Sequence, residues 1–328
     1  MRRSGCKRDR TSNVKLAITT LDTSMPLGLI ASFLLASTGA SSMPDEAPIT
    51  CGNCADWNQP QAPFHVYGNT YYVGMHGLSS VLIVTTDGLI LLDGDLPQSA
   101  QAIARNIKTL GFDVHDVRWI LNSHVHFDHA GGIAALQRIS GANVGASALG
   151  AAALRAGVVP ADDPQFDSGK ATRFPPVPHV QAMLDGETIS LGDTTITARY
   201  TPGHTPGGTS WAWRSCEQAR CVDIVYADSI NPVSLGDFRY SDTSRNPIAA
   251  DALRHSINVI RGLRCDVMIS VHPDVSGVLD KAAANARDPS KNAFLEPLAC
   301  RTYADEFEKL LDAKLVEERT NAAPNATH

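Results

Sequence analysis

Four side chains able to bind a metal fall within six residues: His124, His126, Asp128 and His129, in the run Asn122-Ser123-His124-Val125-His126-Phe127-Asp128-His129-Ala130-Gly131-Gly132. In extended or tightly turned chain, alternate residues point the same way, so His124 and His126 can aim at one point. Asp128 and His129 follow in the turn and can aim at a second. Imidazole nitrogen and carboxylate oxygen suit zinc, which takes about four ligands. Four ligands divided between two points imply two metals, completed by residues from elsewhere in the chain. A lone H-x-H is more often a surface loop with adventitious affinity, whereas the full H-x-H-x-D-H followed by Gly-Gly is far more specific.

The elements around the cluster show how it is held. Val117-Arg118-Trp119-Ile120-Leu121 reads as a buried strand, and a helical pattern runs from Ala130 to about Ile139, stopped by Gly141. The cluster therefore occupies the loop leaving a strand, where a rigid scaffold presents chemistry to solvent. Two further histidines sit at strand ends. His204 follows the strand ending at Tyr200, inside the rigid turn Thr201-Pro202-Gly203-His204-Thr205-Pro206-Gly207-Gly208, and His272 follows Val267–Ser270. The strand Val222–Tyr226 ends in Ala227-Asp228-Ser229-Ile230-Asn231. His65, His76, His115, His179, His255 and His328 have no neighbouring ligand type, and packing or surface roles are expected for them. His76 stands out slightly, in a loop between two early strands.

Elsewhere the pattern is mixed α/β. Residues 41–62 form a Pro- and polar-rich N-terminal arm. Phe64–Gly74, Ser79–Val84 and Gly88–Asp93 are three strands of a meander. A helix starts at the N1 proline Pro97 and stops at Gly111. Strand Asn143–Gly145 and helix Ser147–Ala156 precede a loop from Pro160 to Pro178 with five prolines, placed as a flap beside the site. Strands follow at Val180–Leu184, Thr188–Leu191, Thr195–Tyr200 and Thr209–Trp213. Helix Asp251–Leu263, strand Val267–Val271 and helix Arg301–Arg319 complete the chain. Meander, helix, strand and helix recur loosely in the second part, which predicts two similar α/β halves packed sheet to sheet within one domain, 63–320, and a tail at 321–328.

With 43% hydrophobic and 19% charged residues, the 328-residue chain has ample material for a core. Basic residues up to Lys15, the apolar run Met25–Ala36 and the small residues Ser37–Ala40 read as an export signal over 1–40, with Met25 an alternative start. The apolar run is short for a bilayer span, so no membrane attachment is expected after its removal. Without residues 1–40 the chain keeps 22 basic and 32 acidic residues, a net charge of −10. An acidic chain lacking a basic stripe is a poor nucleic-acid binder. Six cysteines remain, and an even count in an exported chain favours disulfides. Cys216 and Cys221 flank a hairpin-like tip and are placed to pair. A Cys265–Cys300 bridge would tie the last helix to a strand. Cys51-Gly52-Asn53-Cys54 lacks the context of a redox or zinc C-x-x-C, and its pairing is left open.

The set His124-Val125-His126-Phe127-Asp128-His129, Gly203-His204 and His272 resembles the metallo-β-lactamase superfamily. Tyr226-Ala227-Asp228-Ser229-Ile230-Asn231-Pro232, Gly203-His204-Thr205-Pro206-Gly207-Gly208-Thr209-Ser210-Trp211 and the placement of Cys265 and Cys300 are similar to the third subclass of its zinc β-lactamases, from about Trp57 to Leu315. The resemblance implies a four-layer αββα sandwich with two zinc ions at one edge between the sheets. It places His124, His126 and His204 on the first zinc, and Asp128, His129 and His272 on the second. Ser229 stands where the other subclasses carry a cysteine ligand, which selects the third. The implied activity is hydrolysis of penicillins, cephalosporins and carbapenems by a metal-bound hydroxide oriented by Asp128, conferring antibiotic resistance. Ser229 and Asn231 are candidates for substrate contact or for supporting the ligands. The implied setting is a periplasmic or secreted monomer.

Rival readings remain within the superfamily. Lactonases and thioester hydrolases of the glyoxalase II type bridge their metals with an aspartate that Asp228 resembles, although export and disulfides argue against a cytosolic thioester hydrolase. Nuclease members need a basic face, and diiron oxygen reductases carry a glutamate where this chain has His126. A non-catalytic zinc-binding envelope module is opposed by six intact ligand positions. A serine mechanism finds only Ser12-Asn13-Val14-Lys15, which leaves with the signal.

Overall fold

Apolar residues on both faces of the early strands require cover on both sides, and the computed structural model shows how it is provided. The structure describes residues 47–166, 173–288 and 290–322. The expected export signal lies outside the described residues, as do parts of the arm, the tail and the 160–178 loop. Described residues of the arm include a helical turn, α1 (Cys54–Trp57). β1 (Phe64–Tyr67), β2 (Thr70–Tyr72), β3 (Val81–Thr85) and β4 (Gly88–Leu92) form an antiparallel meander. β5 (Val117–Leu121), β6 (Asn143–Ser147) and β7 (Val180–Met183) extend the sheet in parallel from β4. The helices α2 (Ala100–Thr109), α3 (Phe127–Ala130), α4 (Ile133–Ser140) and α5 (Ala148–Ala156) lie between these strands in sequence.

The second sheet has five strands among the described residues. Its members are β8 (Thr188–Leu191), β9 (Thr194–Tyr200), β10 (Thr209–Glu217) and β11 (Arg220–Ala227), all antiparallel, with β12 (Val267–Ser270) parallel to β11. The helix α6 (Ala249–Gly262) precedes β12, and α7 (Pro273–Ser276), α8 (Val278–Arg287) and α9 (Ala299–Ala322) follow it.

Strand alternation sorts the side chains into three cores. Leu82, Leu91, Ile120 and Val144 face outward onto Ile103 and Ile107 of α2, Leu136 of α4 and Leu154 of α5. Ile83, Ile90, Leu92 and Leu121 face inward and meet Ile196, Trp211, Ile224, Tyr226 and Ile269 of the second sheet. On the far side, Val225, Ala227 and Met268 pack against Ile257 and Ile260 of α6 and Phe307 and Leu311 of α9. The result is the expected four-layer αββα sandwich of two α/β halves.

The differences from the sequence reading are local. The run Phe64–Gly74 is two strands rather than one, because Gly68 adopts φ 53° and turns the chain. A Cβ there would press on Ser215 Oγ of the second sheet. The helix expected from Ala130 starts at Ile133, since Phe127–Ala130 form a turn of their own. Two short helices, α7 and α8, fill the stretch before the closing helix. Cys216 pairs with Cys221 across the β10–β11 hairpin and Cys265 with Cys300 between the start of β12 and α9, both as expected. Cys51 and Cys54 are bonded to each other.

Candidate metal centre

The centre is built where β5 runs out. His126 is still extended (φ −73°, ψ 151°), after which Phe127–Ala130 turn into α3. That change of backbone sends His124 and His126 one way and Asp128 and His129 another. Gly131 and Gly132 then let the turn press against Gly94 and Pro97, where any Cβ would collide. The neighbouring segment is itself strained, with Asp93 and Asp95 at φ 58° and 54°, a backbone state that costs non-glycine residues about 1–3 kcal/mol. It is held by Gly94 N–H donating to the His129 carbonyl (2.9 Å) and Gly132 N–H to the Asp95 carbonyl (3.1 Å). The buried Asp93 carboxylate accepts from Ser123 N–H (2.7 Å), Asn122 Nδ2 (3.0 Å) and Tyr226 OH (2.9 Å), pinning the first residues of the loop.

Two groups of three donors result: His124, His126 and His204, and Asp128, His129 and His272, with the donor atoms of each group within 4.8 Å of one another. All six sequence-predicted ligand positions are thus brought together. His204 is fixed by its Nδ1–H donating to the Asn231 carbonyl (2.8 Å), and His272 by Nδ1 donating to the Gly77 carbonyl (3.2 Å). The donor sets fit a metal. His124 Nε2 is sealed from water with no hydrogen-bond partner, and leaving such a group unsatisfied costs about 1–3 kcal/mol. His129 Nε2 faces His272 Nε2 at 3.3 Å, with Asp128 Oδ2 at 3.4 and 3.6 Å from them. A cation among these donors satisfies all of them, and nitrogen with carboxylate oxygen is zinc chemistry.

The electrostatics favour lone pairs over protons on His124 and His204. Burial, reinforced by neighbouring imidazoles, pushes His124 well below the usual histidine range and His204 down to about 3. In the second group, burial works to raise the Asp128 carboxyl, but His129 and His272 outweigh it and hold it below the usual carboxylate range. Burial opposes protonation of His129, yet Asp128, Asp93 and Asp95 raise it overall, so negative charge here attracts a cation.

His124, His126 and His204 of the first group, and Asp128 and His272 of the second, line an open cavity of about 480 Å³, with His129 buried behind them. Ser229 and Asn231 line it, as the sequence places them. So do Trp57, Cys51, Gly52 and Asn53 of the arm, Val159 just before the described 160–166 stretch, and Gln165 within it. His76 does not reach it; that side chain lines a separate hollow with Asp56, Trp57 and Asp274. Asp228 lies behind the cavity wall. Its Oδ1 accepts from His124 Nδ1 (2.7 Å) and its Oδ2 from Thr201 Oγ1 (3.4 Å), both side chains of the His124 pair being buried. The bridging position of a glyoxalase II-type aspartate is therefore not the one this carboxylate takes. Gly208 leaves room for it, since a Cβ would strike Asp228 Oδ2.

The sequence profile of the metallo-β-lactamase superfamily matches residues 74–267. The chain belongs to that superfamily. Among solved metallo-β-lactamases, it is 49% identical to the Rm3 enzyme, with a TM-score of 0.79, covering 83% of this chain and 100% of that one. It is 47% identical to MEM-A1, a subclass B3 enzyme isolated from a soil metagenome library, at a TM-score of 0.78, with 81% and 100% covered. A hydroxyacylglutathione hydrolase of Maricaulis maris is 30% identical over 125 residues, 37% of this chain. An acyl-coenzyme A thioesterase, MBLAC2 of Gallus gallus, is 30% identical over 148 residues, 43% of this chain. The chain spans only 40% and 51% of the lengths of these two relatives.

Two residues of this metallo-β-lactamase fold escape sequence reading. Asp163 Oδ1 lies 3.1 Å from His126 Nε2, and Gln165 Nε2 lies 3.3 Å from His204 Nε2. Neither has ligand spacing relative to the motif, so no signal in the chain marks them. Among the described residues, no helix is long and apolar enough to cross a membrane.

Proposed function

We propose that this protein hydrolyses the β-lactam ring of penicillins, cephalosporins and carbapenems, using two zinc ions held side by side. The observation that carries the reading is the pair of three-donor groups at one open cavity, in a chain close to subclass B3 enzymes along most of its length. His124, His126 and His204 would hold one ion, and Asp128, His129 and His272 the other. When bound, zinc supplies a Lewis acid for the lactam carbonyl and brings the pKa of its water to about 7.

The chain's own residues supply the rest. Asp128 Oδ2 faces His129 and His272, which leaves Oδ1 to accept a hydrogen bond from the attacking hydroxide and orient it. The hydroxide oxygen bonds to the lactam carbon and its proton ends on the lactam nitrogen as the C–N bond breaks, so water is added across the amide. Ser229 and Asn231 offer hydrogen bonds to the substrate from the wall, and Trp57 and Val159 offer apolar surface. Residues 1–40 would direct export of a periplasmic or secreted monomer comprising the 63–320 domain.

The test is nitrocefin turnover by purified mature protein, before and after prolonged chelation, followed by a penicillin, a cephalosporin, a carbapenem, a lactone and a glutathione thioester. Metal-dependent opening of the lactams, with the thioester and lactone slow, is expected. Hydrolysis surviving metal removal, or faster thioester cleavage, overturns the reading.

A further inference from the structure

We propose that Asp163 is a positioning residue for the three-histidine group: its carboxylate holds His126 so that Nδ1 faces the metal position, and couples the 160–166 segment to metal uptake. The proposal rests on the reading of that group as a metal site.

Asp163 is 1% exposed. Its Oδ1 accepts from His126 Nε2 (3.1 Å) and from Gln165 N–H (2.8 Å), while Oδ2 is buried without a partner. With Nε2–H committed to a carboxylate, His126 is fixed as the tautomer whose lone pair is on Nδ1, and the nearby negative charge makes that nitrogen a better donor. A buried carboxylate with one oxygen unpaired is costly, and a cation held through His126 offsets that charge. The three histidines are thus backed differently: Asp228 behind His124, Asp163 behind His126, and only the Asn231 carbonyl behind His204.

Asp163 also organises its own segment. Its N–H donates to the Pro160 carbonyl, its carbonyl accepts from Phe166 N–H (3.0 Å), and the next residue's carbonyl accepts from Leu235 N–H (2.9 Å). Gln165, two positions on, lines the cavity and reaches His204. One carboxylate therefore joins a wall of the substrate cavity to a metal-binding imidazole. By linkage, whatever Asp163 contributes to metal affinity, the metal returns to the order of this segment.

The experiment uses metal-free mature protein, with Asp163→Ala and Asp163→Asn beside the wild type. Co(II) is titrated against a competing chelator and followed by its d–d bands, and amide hydrogen exchange over 161–166 is measured with and without Zn²⁺. Loss of a partner behind a ligating histidine lowers metal affinity about 10- to 100-fold, which is expected for the alanine variant at one of two binding steps. The asparagine variant keeps an acceptor for both His126 and Gln165 but not the charge, so a smaller loss of about tenfold is expected. Zinc should slow exchange over 161–166 in the wild type and not in Asp163→Ala. Affinity within about twofold of wild type overturns the proposal, in the asparagine variant alone if the alanine protein does not fold. A wild type that takes up no metal overturns the metal reading as well, whereas normal uptake with unaffected variants removes only the role of Asp163. No substrate is involved, so the outcome is independent of which lactams are cleaved.

Discussion

His124 Nδ1 and Asp228 Oδ1 lie 2.7 Å apart, in side chains 104 positions distant in sequence and both shut off from water. The carboxylate addresses the outer nitrogen of the imidazole and leaves Nε2 to the metal position. This relationship separates an aspartate that orients a ligand from one that bridges two ions. Asp228→Asn should weaken metal binding about 10- to 100-fold, with the loss confined to one ion. Metal stoichiometry by mass spectrometry across a chelator series checks this. Loss of both ions together would mean that Asp228 reaches the pair.

Removing metal should destabilise the fold as well as silence it. A bound ion would contribute about 2.7 kcal/mol when free zinc is a hundredfold above its Kd. For a domain of this size, that is about 5–10 °C in Tm per ion. Thermal scans with and without zinc should show this shift, reversed on readdition. A Tm indifferent to zinc would contradict the donor sets described above.

Tyr226 ties the two sheets together beneath the centre. Its hydroxyl donates to the Ser79 carbonyl (2.6 Å) or the Asp93 carboxylate (2.9 Å) from a fully buried ring. Removing the hydroxyl takes away the one proton that these two buried acceptors share. Tyr226→Phe should lower stability by about 1.5–3 kcal/mol, the range for hydrogen bonds to charged groups, read from urea unfolding midpoints. An unchanged midpoint would show that neighbouring donors compensate.

The disulfides should rank by the chain they enclose. Cys265 and Cys300 are 35 positions apart, and Cys216 and Cys221 only 5. Loop-closure entropy gives about 4 kcal/mol for the first and about 2 kcal/mol for the second. Double alanine variants compared by denaturant unfolding would test the order. Neither pair lines the cavity, so nitrocefin kinetics of the folded variants should match the wild type.

Much of this was legible in the chain. The spacing of His124, His126, Asp128 and His129 is a property of local backbone, as is the placement of His204 and His272 at strand ends. Two-residue and near-helical periodicities divided the chain into two α/β halves, because each strand and helix must bury a face. The hairpin around Cys216 and Cys221 was local too. The split of Phe64–Gly74 at Gly68 and the separate turn at Phe127–Ala130 were missed, since both answer to the second sheet and the Gly94 segment packed against them. Tertiary structure alone decided that Asp228 stands behind His124, that Asp163 meets His126 across 37 positions, and that the Cys51–Cys54 arm borders the cavity. These contacts depend on the direction of side chains carried by elements remote in sequence. Spacing fixes the direction of neighbours on one strand or turn, whereas the meeting of distant carboxylates and imidazoles is fixed only once the two sheets have packed.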